Sequence, residues 1–270
     1  MILFMKMPKF NLIVLLSIMC IVCYNCNINQ KARDFHDLGV YKGTDVYELA
    51  LCVAEDDSAK IEEYIHKHPE IDIDLPDSNF GCSLLMWAIF NGKYKSFEAL
   101  LNNGANPNFV SERDGSTPLI MAASYVANKG YDDSYLNTLL KAGADAKLVT
   151  FNKEDSLYRN PIFDAITCLQ YVKPLIEKGN IDVNFKLDGI SIVEEAILLE
   201  AVDVAYYLVV EKNADITGNH KSEVYINGVK QDIPAKPLIE MVENWNFPNG
   251  CKEDQMKKSI LDCYVKQKGN

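Results

Sequence analysis

The chain has 270 residues, 48% of them hydrophobic and 24% charged, with a formal net charge of −11. That composition excludes a disordered polymer and supplies a sizeable core. The acid excess repels phosphate backbones, which excludes nucleic acid as a partner, and favours a basic protein surface, with solubility alone as the alternative reading.

Residues 1–25 predict a signal peptide. Lys6 and Lys9 precede an apolar run from Leu12 to Tyr24 that is short for a bilayer span; a buried N-terminal helix is the alternative. The run ends in Cys20, Cys23 and Cys26, and the sequence turns polar at "CNINQ". This resembles a bacterial lipoprotein signal, in which the cysteine after the cleavage point is acylated. Cys26 stands at the apolar-to-polar boundary and is the candidate, with Cys23 left open because Tyr24 and Asn25 are not the usual small residues. Residues 26–43 then form a lipidated cysteine and a polar tether. Without residues 1–25 the chain loses two lysines and no acid, giving 25 − 38 = −13.

From residue 44 a helix-start signature recurs. It reads "GTDVYELALCVAE" at Asp45, "FGCSLLMWAIFNG" at Ser83, "DGSTPLIMAAS" at Thr117, "RNPIFDAITCL" at Asn160, "DGISIVEEAIL" at Ser191 and "PAKPLIEMVEN" at Lys236. A second signature follows: "YIHKHPEIDID" from Tyr64, "LLNNGANPN" from Leu100, "LLKAGADAK" from Leu139, "LIEKGNIDVN" from Leu175 and "LVVEKNADIT" from Leu208. The spacing runs from 31 residues between Asn160 and Ser191 to 45 between Ser191 and Lys236, so some loops carry insertions.

These residues resemble the ankyrin-repeat family, from about Thr44 to Trp245. The histidine usual after Thr-Pro-Leu is absent, with Met86, Ile120 and Phe163 in its place. The resemblance implies an all-α solenoid of about six helix-turn-helix units with short β-turn or hairpin connections. Within it Ala88, Ala122, Ala165 and Ala196 serve close helix packing, Pro118 and Pro161 fit first helical turns, and Gly104 and Gly143 sit past helix ends. Insertions fall near residues 125–135 and 219–234; Asn227-Gly228 between alternating runs predicts a hairpin in the second. Residues up to 270 close the stack as a charged helical cap.

Catalytic chemistry has little to stand on. Beyond Cys26 there is no CxxC, and no HExxH, GxSxG or phosphate-binding loop appears, so no enzyme, cofactor, metal or small-molecule substrate is expected. His66 and His68 read as helix-end decoration rather than a metal site. Glu154 and Asp155 read as loop residues without partners. Cys251 and Cys263 carry a weak signal for pairing.

The resemblance implies a concave face lined by first helices. Four residues beyond each aligned start stand Leu49, Trp87, Met121, Asp164, Glu195 and Glu240. One turn further come Val53, Asn91, Tyr125, Cys168 and Leu199. Trp87, Met121 and Tyr125 form a candidate aromatic anchor, with inter-repeat core as the competing role for Trp87 and Met121. Asp164, Glu195 and Glu240 form a candidate acidic stripe; Arg113 and the inserted Tyr131 complete the set. The expected partner is another protein, with a toxin met at a bacterial envelope as one identity: exported ankyrin-repeat lipoproteins of this build resemble immunity proteins. An envelope assembly factor is the alternative.

Overall fold

The computed structural model describes residues 36–126, 133–220, 223–226, 229–232 and 235–269, with backbone alone at 125–126 and in the two strands 223–226 and 229–232. The expected signal peptide, Cys26, Tyr131 and the expected Asn227-Gly228 turn lie outside the described residues.

Six helix pairs follow in chain order. They are α1 (Tyr47–Glu55) with α2 (Ser58–Lys67), α3 (Leu84–Phe90) with α4 (Tyr94–Asn102), and α5 (Pro118–Met121), continued by a π-turn (Ala122–Val126), with α6 (Ser134–Lys141). After them come α7 (Pro161–Asp164) with α8 (Leu169–Glu177), α9 (Ile192–Leu198) with α10 (Val202–Tyr206), which runs into a second π-turn (Tyr207–Glu211), and α11 (Leu238–Glu243) with α12 (Lys252–Lys268).

The helix starts obey local chemistry. Ser83, Thr117, Asn160 and Ser191 each accept a backbone N–H of the first turn through the side chain, at 3.5, 3.1, 3.1 and 3.1 Å. Ser191 and Glu194 form a reciprocal capping box. Pro118 and Pro161 stand in first turns, where no N–H is needed. The two end units depart from this: α1 starts after Val46 and α11 after Pro237, neither with a side-chain cap, so Asp45 and Lys236 are not the capping residues.

None of these short helices can bury its own apolar stripe, so each unit packs on the next. The first helices α1, α3, α5, α7, α9 and α11 contact one another in sequence. In the second layer, Tyr94 and Phe97 of α4 pack on Tyr135 of α6 at ring separations of 4.9 and 5.0 Å. The resulting core is continuous from Val40 to Ile260, and Ala88, Ala122, Ala165 and Ala196 are all buried in it. At the N-terminal end a short 3-10 turn (Leu38–Tyr41) closes the stack, with the Tyr41 hydroxyl donating to the Cys82 carbonyl at 3.0 Å. At the other end α12 buries only Asp254 and Ile260 and presents charge elsewhere, as a terminal cap must. Cys251 caps this helix and Cys263 lies inside it; twelve residues of helix separate them by roughly 18 Å, beyond disulfide reach, so the two do not pair with each other, and both are free among the described residues.

The connections between units carry the β structure, all antiparallel two-stranded pairs. They are β1 (Thr150–Asn152) with β2 (Leu157–Arg159), β3 (Lys186–Leu187) with β4 (Ile190–Ser191), β5 (Asn219–His220) with β8 (Lys236–Pro237), and β6 (Glu223–Ile226) with β7 (Val229–Asp232). Ile226 faces Val229 across the last pair. Asp188 and Gly189 join β3 to β4 with φ of 49° and 85°, the left-handed pair a tight hairpin turn requires.

Candidate protein-binding surface

The six residues aligned along the first helices do not form one continuous exposed face. Leu49 is fully buried and Trp87 is 3% exposed. α3 is packed between α1 and α5, so its whole length is core. Trp87 is therefore not an anchor for a partner; among the described residues its enclosed indole Nε1–H has no acceptor. Met121 is half-buried, with part of its side chain packed against the core. For Tyr125 only the backbone is described, in the π-turn that ends α5. Accessibility rises toward the C-terminal units. Asp164 and Glu195 are half-buried and Glu240 is exposed.

Each acid has a distinct setting. Asp164 accepts from Arg159 Nη2 at 2.7 Å, and Arg159 Nη1 donates to Ser116 Oγ at 2.9 Å. Burial still pushes the Asp164 carboxyl above its ordinary range, against the pull of Arg159. Burial also raises Glu195, with neighbouring Glu194 adding to the effect and His220 opposing it. Glu194 itself accepts from His220 at 2.7 Å, fastening the start of the 219–237 connection to α9.

Single exposed apolar residues include Leu199 and Val265, and an exposed apolar group of three lies on the finger formed by β1 and β2. Thr150 and Asn152 point inward and are buried, while Phe151 between them is 43% exposed. Across the pair Phe151 faces Tyr158, their rings 5.3 Å apart, and Leu157 and Tyr158 are 58% and 53% exposed. The finger is held at its base. Thr150 Oγ1 donates to the Gly115 carbonyl at 2.6 Å. Gly115 has φ +66°, and a Cβ there would meet the Phe151 carbonyl oxygen at 2.7 Å, so a glycine is what lets this strand lie against the preceding loop. Arg113 Nε donates to Glu154 at 2.7 Å and its guanidinium lies 5.9 Å from the Phe80 ring centre. Within the turn, Asp155 accepts from Asn152 Nδ2 at 2.8 Å and from the Leu157 amide at 3.0 Å. Glu154 and Asp155 are thus structural parts of the finger, not loop acids without partners. Of the expected partner-binding residues, Arg113 and Asp164 are brought to this finger through Glu154 and Arg159; Glu195 and Glu240 are not tied to it.

Phe151, Leu157 and Tyr158 were legible in principle. "VTFN" alternates apolar and polar residues, and after the charged turn "KED" the pair Leu157-Tyr158 stands between Ser156 and Arg159, the make-up of a short hairpin. Among the described residues no group of three or more His, Cys, Asp or Glu is arranged to hold a metal ion, and no helix is long and apolar enough to cross a membrane.

Residues 49–150 match the family model for ankyrin repeats in three copies, a span that runs through the first three units. The crystal structure of EF0377, an ankyrin repeat protein, superposes with a TM-score of 0.54 over 82% of this chain and 98% of that one at 18% identity. No curated protein matches the sequence. The fold is an ankyrin-repeat stack, and ankyrin repeats indicate a protein-interaction scaffold.

Proposed function

We propose that this ankyrin-repeat stack is a non-catalytic binding protein, exported and lipid-anchored through Cys26 in a bacterial cell envelope, which captures a basic protein and acts as an immunity protein against a toxin. The observation that carries the binding reading is the finger. Three large apolar side chains are held in water on a hairpin fixed by the Thr150, Arg113 and Arg159 bonds. A rigid, aromatic, exposed element of this kind is what interfaces use as an energetic anchor. Half-buried Asp164 and Glu195 and exposed Glu240 would supply the polar rim, and the overall acid excess would steer a basic partner. The anchor reading rests on the "CIVCYNCN" boundary alone.

Two measurements test the proposal. Mass spectrometry of the mature N-terminus should find a lipid on Cys26; an unmodified N-terminus beginning elsewhere removes the anchor. Affinity capture of the mature chain from its own cells, with and without mixed competitor strains, should recover a basic protein only in the mixed culture. The Phe151→Ala/Tyr158→Ala double variant should lose it. Recovery of a resident envelope protein in both cultures would replace immunity with assembly, and equal recovery by the double variant would remove the finger as the site.

A further inference from the structure

We propose that the junction between the third and fourth units is a hinge, at which the stack opens into two three-unit blocks. It rests on the turns where the chain leaves each second helix. Five of these turns are built alike. Asp72, Asn106, Asp145, Asp182 and Asp215 each accept the amide of the residue two positions on, at 2.8–3.1 Å. The residue so held, at positions 74, 108, 147, 184 and 217, faces the next turn.

At three of the four junctions between these turns that residue is an acceptor and bridges the units. The Asp74 carboxylate accepts from the Asn106 amide at 2.9 and 3.1 Å, Asn108 Oδ1 from Asp145 at 2.7 Å, and Asn184 Oδ1 from Asp215 at 2.8 Å. At the fourth the residue is Lys147, which has donors and no side-chain acceptor. Among the described residues no bond from the Asp182 amide is found. A cavity of about 250 Å³ lies at this point, lined by Lys147, Asn160, Asn180, Ile181, Asp182 and Phe185.

Between the two turns themselves the contact is one of shape; around it Asn160 Nδ2 donates to the Ala146 and Leu148 carbonyls, each at 3.1 Å, and Lys178 Nζ donates to Asn137 Oδ1 at 2.6 Å. A Cβ on Gly179 would lie 2.5 Å from the Ala146 methyl, so the glycine backbone rests directly on that side chain. Such a contact has no directional bond to break, and a small relative rotation costs it little. The finger bonds Arg159–Ser116, Arg113–Glu154 and Thr150–Gly115 tie the same two units elsewhere. They make the junction a pivot rather than a separation, and any opening at Lys147 re-aims the finger that begins three residues later. In a stack whose stability is a sum over nearest-neighbour contacts, the junction whose turns lack the amide rung is where the turns part about the remaining bonds and cooperativity divides.

Amide hydrogen exchange of the full mature chain, read on proteolytic peptides, tests this. In the wild type, peptides from 36–147 should share one opening equilibrium and peptides from 160–269 another. Lys147→Asn and Lys147→Asp restore the acceptor that Asn108 and Asp74 provide. Each should slow exchange of the peptide containing Asp182 by roughly fivefold, the worth of one net hydrogen bond, and bring the two blocks together. Lys147→Ala, which removes the charge without adding an acceptor, should leave exchange as in the wild type. One opening equilibrium across the whole wild-type chain overturns the hinge. So does equal exchange at Asp182 in the Asn, Asp and Ala variants, with circular dichroism showing all three folded.

Discussion

Trp87 shows how a single position can be read in two ways until its neighbours are known. Its side chain is enclosed by the first three units, yet among the described residues its N–H finds no acceptor. An unmet buried donor costs about 1–3 kcal/mol, while the ring's volume is needed. Trp87→Phe should therefore unfold in denaturant at the wild-type midpoint or above it, whereas Trp87→Ala should lose about 3–5 kcal/mol by opening a cavity. Glu195 offers a pH test. Its folded pKa is raised above the unfolded value by burial, then by Glu194, so the ionised form is what the fold disfavours. The sign follows: Glu195→Gln should raise stability at neutral pH, and the gain should vanish as pH falls through the ordinary glutamate range near about 4.3. Melting curves of the two proteins across that range check it; a gain that grows on acidification contradicts the assignment. The alignment placed Trp87 and Glu195 at equivalent positions of their units, and that equivalence is sound. Their different fates follow from what is stacked on each unit, which no repeat register encodes.

The finger and the helix caps are the elements that join sequence to function most directly. Phe151 and Tyr158 are exposed, so Phe151→Ala and Tyr158→Ala should leave the thermal midpoint nearly unchanged while weakening the captured partner by about 2 kcal/mol or more each, read by calorimetry. Gly115→Ala should do the reverse of a surface change: at φ +66° and against the Phe151 carbonyl, a methyl displaces the finger and costs stability before any partner is met. Ser191→Ala should cost about 1 kcal/mol in denaturant unfolding, because it ends the capping box of α9. The caps were readable because a cap is a contact between residues two or three apart. The β3–β4 turn at Asp188-Gly189 shares that local character. The finger is local too, but its aromatic residues announce only a hairpin. That they stay in solvent is decided by Gly115, Arg113 and Ser116, 35 to 43 residues away along the chain.

At the scale of the whole molecule, charge and stacking govern. If the acid excess steers a basic partner, the association rate should fall steeply between low and physiological salt while dissociation changes little, as stopped-flow mixing would show. A salt-independent rate would assign the acidity to solubility alone. The sequence by itself determined the fold: the recurring capped starts and Gly-containing exits require short helix pairs, and short amphipathic pairs are stable only in a stack. Only the tertiary structure decided which apolar residues are spent on the core and which remain available. Burial depends on the neighbour on either side, so Trp87 between two units is enclosed and Phe151 on a projecting hairpin is not. The same is true of the hinge. Lys147 is an ordinary surface lysine until the rungs formed by Asp74, Asn108 and Asn184 show what an acceptor at its position would have joined.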